Sequence, residues 1–80
     1  MNSKLIQAQA HLEAGEWEAA HNIVQEDESN LASWMHAIVH LQEGDTSNAR
    51  YWFRRAGRSS VGVEAIESEL VKIRIELEGG

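Results

Sequence analysis

The histidines of this chain are the residues whose type and spacing most directly suggest chemistry. His36 and His40 lie four positions apart, which places both imidazoles on one face of a helix, about one turn from each other. Such a pair can grip a zinc ion when a third ligand converges on it, commonly a carboxylate or another histidine. His21, Glu43 and Asp45 are the candidates for that third position. The sequence therefore indicates a candidate metal site that includes His21, His36 and His40.

The same histidines also allow a structural interpretation, in which His36 and His40 are half-buried and bond to neighbouring helices. His11 and His40 take equivalent places in an internal repeat, and this equivalence favours a packing role for His40. Helical zinc proteases carry a glutamate directly after the first histidine of such a pair, whereas Ala37 stands there in this chain. Hydrolysis by a bound metal is therefore not indicated, and a metal site and a packing role both stay open.

Arginine is concentrated in one short stretch of a chain whose formal net charge is -6. The four residues concerned are Arg50, Arg54, Arg55 and Arg58. Guanidinium groups present forked donors that suit a carboxylate or a phosphate, so these arginines form a candidate anion-binding cluster. The alternative is that they pair with Glu43, with Asp45 and with the acidic residues of the last helix.

Composition and charge exclude several classes of function. The absence of cysteine excludes a disulfide scaffold, a cysteine-based zinc site and a thiol nucleophile. An acidic chain repels polyphosphates, so nucleic-acid binding is not expected. No apolar stretch approaches the roughly 18 residues of a membrane span, and the first residues lack the apolar core of a signal peptide. We expect a cytoplasmic, noncatalytic protein without membrane contact and without a cofactor.

Glycine positions and apolar periodicity predict the secondary structure. The absence of proline and the many Ala, Glu, Leu and Gln residues favour helix. Gly15, Gly44 and Gly57 separate apolar patterns of helical period. These signals predict about five helices in a single domain over residues 1–80: a hairpin at about 3–25, a second hairpin at about 31–57 and a last helix at about 62–78. The alternating three- and four-residue spacing of the last helix suits either a cap on its own chain or pairing with a second copy.

A segment of ten residues occurs twice in the chain. His11–Ala20 aligns with His40–Ala49 at an offset of 29 positions, with matching His, Leu, Gly and Ala residues. The same offset pairs Ala8 with Ala37. Small residues let two antiparallel helices approach closely, and glycine lets the chain reverse between them. The pattern therefore predicts one type of helix–turn–helix hairpin used twice.

The repeated unit resembles the tetratricopeptide repeat (TPR), a helical hairpin of about 34 residues. The small residue of the family's first helix falls on Ala8 and Ala37, and its turn glycine falls on Gly15 and Gly44. The chain departs from the family in its shorter offset, in the absence of the terminal proline and in the loss of one packing alanine. The resemblance covers about residues 3–58 and implies an all-α fold, with two antiparallel helical hairpins followed by a C-terminal capping helix.

The TPR resemblance also implies a protein or peptide partner that contacts the inner face of the first helices. Trp34 falls on that face in the second hairpin, and we expect this surface to stay partly open because only the first hairpin covers it. An open apolar patch marks a partner site. Leu70 of the last helix is added to the residues of this face. The candidate partner-binding residues are then Leu31, Trp34, Ile38, Leu41 and Leu70. The expected partner is a protein, a peptide or a second copy of this chain.

Residues 15–25 are also similar to a segment of a small bacterial all-helical family with no assigned function. That segment runs Gly-Glu-aromatic, then Ala-His, then Leu-Glu, and its glutamate falls on Gln25 of this chain. The resemblance supports the fold and adds no activity. The sequence as a whole therefore favours a noncatalytic interaction or self-association module, with binding of a metal or a small anion as the alternative.

Overall fold

The computed structural model of the protein describes residues 3–79, and this part of the chain is helical with no strand. The all-α prediction and its five helices are thereby confirmed. The helices are α1 (Ser3–Glu13), α2 (Trp17–Val24), α3 (Asn30–Glu43), α4 (Thr46–Arg55) and α5 (Ile66–Gly79), and a short 3₁₀ turn at Val63–Ala65 precedes α5. The last helix begins later than its sequence pattern predicts, because this 3₁₀ turn occupies its first residues.

The turns of the two hairpins have the same backbone geometry. Gly15 and Gly44 adopt left-handed conformations, with φ of 77° and 93°, which glycine enters without the steric cost that a Cβ imposes. In each turn the residue after the glycine donates its N–H to a carbonyl five positions back, at 2.8 Å: Glu16 to His11 and Asp45 to His40. The internal repeat of the sequence is therefore also a repeat of hydrogen bonding.

Side-chain caps fix the beginnings of the two helices of the second hairpin. The Ser29 hydroxyl accepts the N–H of Ala32, and the Asp45 carboxylate accepts the N–H of Asn48, each at 3.1 Å. A cap of this kind satisfies a backbone donor that has no partner within the helix and contributes about 1 kcal/mol.

The small residues predicted to bring the helices together are all buried. Ala8, Ala20 and Ala37 have no exposed surface, and Ala49 is only 1% exposed. Within the hairpins, α1 packs on α2 and α3 packs on α4, while α2 packs on α3 and joins the two hairpins. Burial of the alanines is what the close approach of antiparallel helices requires.

Helix α3 lies at the centre of the fold. It packs against α1, α2, α4 and α5, and every residue from 32 to 41 is buried. Such all-round burial makes its histidines neighbours of other helices rather than of bulk water. The largest fully buried side chains of the core are Phe53, Leu5, Leu12, Met35, Ile38, Ile73, Val24 and Val39.

The expectation of a partly open surface around Trp34 is wrong. Trp34 is 4% exposed, and its Nε1–H donates to Oε1 of Glu69 in α5 at 2.8 Å. Helix α5 packs on α1 and α3, the first helices of both hairpins. It therefore covers the inner face that was expected to stay partly open.

The remaining candidate partner residues share this burial. Ile38, Leu41 and Leu70 are at most 7% exposed, and only Leu31 is half-buried. Leu70 and Ile73 are buried on the side of α5 that faces its own chain, so the apolar seam of α5 is used within the protein.

Within the described residues, none of the helices combines the length and the hydrophobicity that crossing a lipid bilayer requires.

Candidate metal site

Three histidines converge where α2 meets α3. His21 comes from α2, and His36 and His40 come from successive turns of α3. The ring centroids lie 4.8 Å apart for His21 and His36, 5.6 Å apart for His21 and His40, and 5.0 Å apart for His36 and His40. One nitrogen from each ring lies within 4.8 Å of the others. The fold thus brings together the three residues that the sequence nominated as metal ligands.

Local packing explains why His21 reaches the pair on α3. Ala20, the residue before His21, is fully buried, and α2 packs directly on α3. The contact between these two helices brings imidazoles from both together. His21 itself is half-buried, whereas His36 and His40 are 4% and 7% exposed, so the cluster is sheltered and His21 is its most exposed member.

Trp52 of α4 holds the ring of His36 in place. The indole and the imidazole are stacked with centroids 3.7 Å apart and planes 7° apart. The metal site predicted from the sequence does not include this stack. A signal for it exists: His36 and Trp52 are each eight positions from Gly44, and residues equidistant from a hairpin turn lie side by side on the two helices.

Glu43 sets the hydrogen-bonding state of His40. Its Oε1 lies 2.7 Å from Nδ1 of His40, and a carboxylate can only accept, so Nδ1 carries the proton. The Nε2 atom of the neutral ring then has a free lone pair. A carboxylate behind a histidine is the usual arrangement around metal-binding imidazoles, where it orients the ring and raises its basicity.

Asp45, the other carboxylate proposed as a ligand, serves mainly as the cap of α4. One of its oxygens accepts the N–H of Asn48. A ligand atom of Asp45 does lie within 4.8 Å of ligand atoms of His40 and Glu43, so these three residues form a second group around His40. Because both carboxylates already have hydrogen-bond partners, the three-histidine group is the better-prepared site.

Burial first, and then the neighbouring His21, His40 and Arg55 in that order, together lower the pKa of His36 from 6.5 to about 3. Burial acts in this direction because a charged imidazolium loses its hydration. His36 is therefore neutral at physiological pH. A neutral imidazole is the form that binds a metal ion, and no proton has to be displaced from it.

The cluster has dimensions close to those of a tetrahedral metal site. Zinc–nitrogen bonds of about 2.0–2.1 Å in a tetrahedron place ligand nitrogens about 3.4 Å apart. The nitrogens of the three histidines, now within 4.8 Å of one another, have to close by about 1.4 Å at most to meet that spacing. Three protein ligands leave a fourth coordination position for another molecule.

His11 is the residue of the first hairpin that corresponds to His40, and it lies outside the histidine cluster. Its Nδ1 lies 2.8 Å from Oε1 of Glu16, much as Nδ1 of His40 meets Glu43. No second histidine joins His11 within residues 3–79. A histidine at this place in the hairpin thus has a structural bond of its own, and only His40 is joined by two further imidazoles, His36 of its own helix and His21 of α2.

The four arginines of the candidate anion cluster lie on the surface of α4 and the segment after it. All four are exposed, and within residues 3–79 none of them forms an ion pair. Their expected pairing with Glu43, Asp45 and α5 is therefore wrong. Two of them lie against indole rings instead: the Cζ atom of Arg55 is 5.2 Å from the centroid of Trp52, and that of Arg58 is 3.5 Å from the centroid of Trp34.

The outer side of α5 carries an apolar pair that the partner prediction did not include. Val71 and Ile75 are 58% and 62% exposed and lie one helical turn apart. The sequence pattern drew attention to Leu70 and its periodic neighbours, which belong to the buried side. Val71 and Ile75 are therefore the accessible apolar residues of this helix.

The histidine cluster offers three imidazole nitrogens within 4.8 Å of one another, which is a donor set of the kind that metal ions take. Comparisons of the chain with protein-family models, with curated proteins and with solved structures find no match. The geometry of the three histidines and the charges around them are therefore the basis for inferring a function. The histidines concerned are His21, His36 and His40.

Proposed function

We propose that the protein binds a divalent transition-metal ion, zinc foremost, through the imidazoles of His21, His36 and His40. The observation that carries the proposal is the convergence of three imidazole nitrogens within 4.8 Å from two helices. Imidazole nitrogen suits zinc, copper and nickel better than magnesium or calcium. The chain offers no sulfur ligand from cysteine, so a nitrogen-only set is the one to test.

The surroundings of the three rings support this proposal. His36 is neutral and stacked on Trp52, and His40 is oriented by Glu43. Both features reduce the freedom that the ligands lose on binding, and such preorganisation raises affinity. A carboxylate also bonds His11 outside the cluster, so the feature that distinguishes the candidate metal site is the convergence of the rings of His21 and His36 on that of His40.

Titration of the purified protein with cobalt(II) and zinc tests the proposal. A tetrahedral cobalt site gives intense visible absorption, and zinc should displace the cobalt and abolish that absorption. We expect one ion per chain and at least a tenfold loss of affinity in His21→Gln, because three ligands become two. The matched control is His11→Gln, which removes a histidine outside the cluster and should bind cobalt as the unmodified protein does.

Two results would contradict metal binding. The first is the absence of a cobalt spectrum and of calorimetric heat with zinc and nickel in the folded protein. The second is an equal effect of His21→Gln and His11→Gln on affinity. Circular dichroism of both variants establishes that they are folded, which is expected because neither side chain is fully buried.

A second candidate function is a noncatalytic, TPR-like interaction module that associates with a second copy of the chain. It is favoured by the exposed apolar pair Val71 and Ile75 on α5, and the TPR likeness is supported by the matched turns at Gly15 and Gly44. Light scattering at increasing concentration tests it: Val71→Glu should weaken a dimer, whereas Glu67→Gln on the same helix should not. A monomer at all concentrations would remove this candidate.

A further inference from the structure

Arg55 is a charged group near the histidine cluster whose charge no carboxylate balances. It is exposed and forms no ion pair within residues 3–79. Its guanidinium lies 5.2 Å from the centroid of Trp52, and the same indole is stacked on His36 at 3.7 Å. The Trp52 indole is thus in contact with both a cation and a candidate metal ligand.

The charge of the occupied site calls for an anion. Three neutral imidazoles contribute no negative charge, so a bound divalent ion keeps both of its positive charges. Two carboxylates lie beside the cluster: Glu43 is hydrogen-bonded to His40, and a ligand atom of Asp45 lies within 4.8 Å of those of His40 and Glu43. Arg55 adds a positive charge near His36, so the three positive charges of a divalent ion and Arg55 exceed the two negative charges by one. Excess positive charge at a partly buried position attracts an anionic ligand strongly because water screens it little.

We propose that the metal-loaded site binds a small oxyanion, a carboxylate or a phosphate group, with one oxygen on the fourth coordination position of the metal and another held by the guanidinium of Arg55. The forked donors of arginine match the two oxygens of such a group. This inference rests on the proposed metal function and names the ligand of that same site. It also gives Arg55 a role beyond its contact with Trp52.

The test uses the cobalt-loaded protein and two probes, acetate and inorganic phosphate. Either anion should shift the visible cobalt spectrum as it enters the coordination sphere, and the probe that binds more tightly identifies the carboxylate or the phosphate as the preferred group. Arg55→Ala should weaken the preferred anion at least tenfold while leaving the affinity for cobalt within about twofold. The matched control is Arg50→Ala, which removes an exposed arginine of the same helix and should leave anion binding unchanged.

Each outcome separates this inference from the function on which it rests. A cobalt spectrum that neither acetate nor phosphate changes would overturn the oxyanion proposal and leave metal binding intact. Equal anion affinities in Arg55→Ala and the unmodified protein would overturn the role of Arg55. A protein that binds no cobalt in the absence of anions would overturn both the metal function and the oxyanion proposal.

Discussion

The imidazole of His36 and the indole of Trp52 lie parallel, with ring centroids 3.7 Å apart and an angle of 7° between the planes. The two residues come from antiparallel helices and are equally distant from Gly44, so the turn that reverses the chain also aligns the rings. A metal ligand held by an aromatic face loses little rotational freedom when it binds. The second hairpin therefore builds much of the candidate site by itself, and α2 supplies His21.

Replacing Trp52 should weaken metal binding without removing a ligand. We expect Trp52→Ala to lower the affinity for cobalt by about tenfold, because His36 gains rotamer freedom worth about 0.5–1.5 kcal/mol that binding must then remove. Trp52→Phe retains a ring face and should bind cobalt nearly as the unmodified protein does. The measurement is a cobalt titration followed by visible absorption. Equal affinities for the two variants would show that the stack has no part in positioning His36.

Glu43→Gln should reduce metal affinity through its effect on His40. A glutamine in place of the carboxylate no longer raises the basicity of the imidazole, and loss of such a partner lowers metal affinity by about 10- to 100-fold. Glu16→Gln is the matched control, since Glu16 makes the corresponding bond to His11 at 2.8 Å outside the cluster. Zinc competition against a chromophoric chelator measures both variants. A loss of the same size in Glu16→Gln would contradict the assigned role of Glu43.

The low pKa of His36 predicts a dependence of stability on pH in the metal-free protein. The unfolded chain binds a proton at His36 once the pH falls below about 6.5, whereas the folded protein does so only near pH 3. Acidification therefore favours the unfolded state, and the stability that His36 contributes is complete above pH 6.5 and is lost progressively between pH 6.5 and pH 3. The groups facing His36 that oppose its protonation are His21, His40 and Arg55.

Urea denaturation between pH 7 and pH 4.5 measures this effect. The free energy of unfolding should fall by up to about 1.4 kcal/mol per pH unit from His36 alone. Because carboxylates also titrate in the lower part of this range, the unmodified protein is compared with His36→Gln, in which that component of the slope should be missing. Parallel pH profiles for the two proteins would contradict a depressed pKa at His36.

Trp34→Phe should destabilise the docking of α5. The substitution removes the N–H that Glu69 accepts at 2.8 Å and leaves a carboxylate that is 4% exposed with fewer donors, which costs about 2 kcal/mol. Glu69→Gln keeps an acceptor oxygen opposite Trp34 and should cost less. Chemical denaturation measures both variants, and a larger loss in Glu69→Gln than in Trp34→Phe would contradict the assigned role of this hydrogen bond.

Local signals in the sequence were sufficient for the helices and their turns. Gly15 and Gly44 mark both chain reversals, and Asp45 caps α4 as its position suggests. These features depend on residues within one turn of each other, where sequence spacing and spatial distance are nearly the same quantity. The pair His36 and His40 was accessible for the same reason, since both lie on one helix.

Long-range packing limited the rest of the prediction. The inner face around Trp34 was expected to be partly open because the periodicity of α5 shows which of its sides is apolar but not which surface that side covers. The bond that closes this face joins residues 35 positions apart. The stacking of Trp52 on His36 depends in the same way on the register of two helices, and the unpaired state of Arg55 depends on where α5 places its acids.

The position of α5 also bears on the order of folding. Nε2 of Gln9 in α1 donates to the carbonyl oxygen of Leu70 in α5 at 2.9 Å, across 61 positions of the chain. The cost of closing a loop rises with its length, whereas each hairpin closes over a short turn. A folding order that follows these costs begins with the two hairpins and ends with the docking of α5. The contact between α2 and α3 that brings the histidines together would then form before α5 docks.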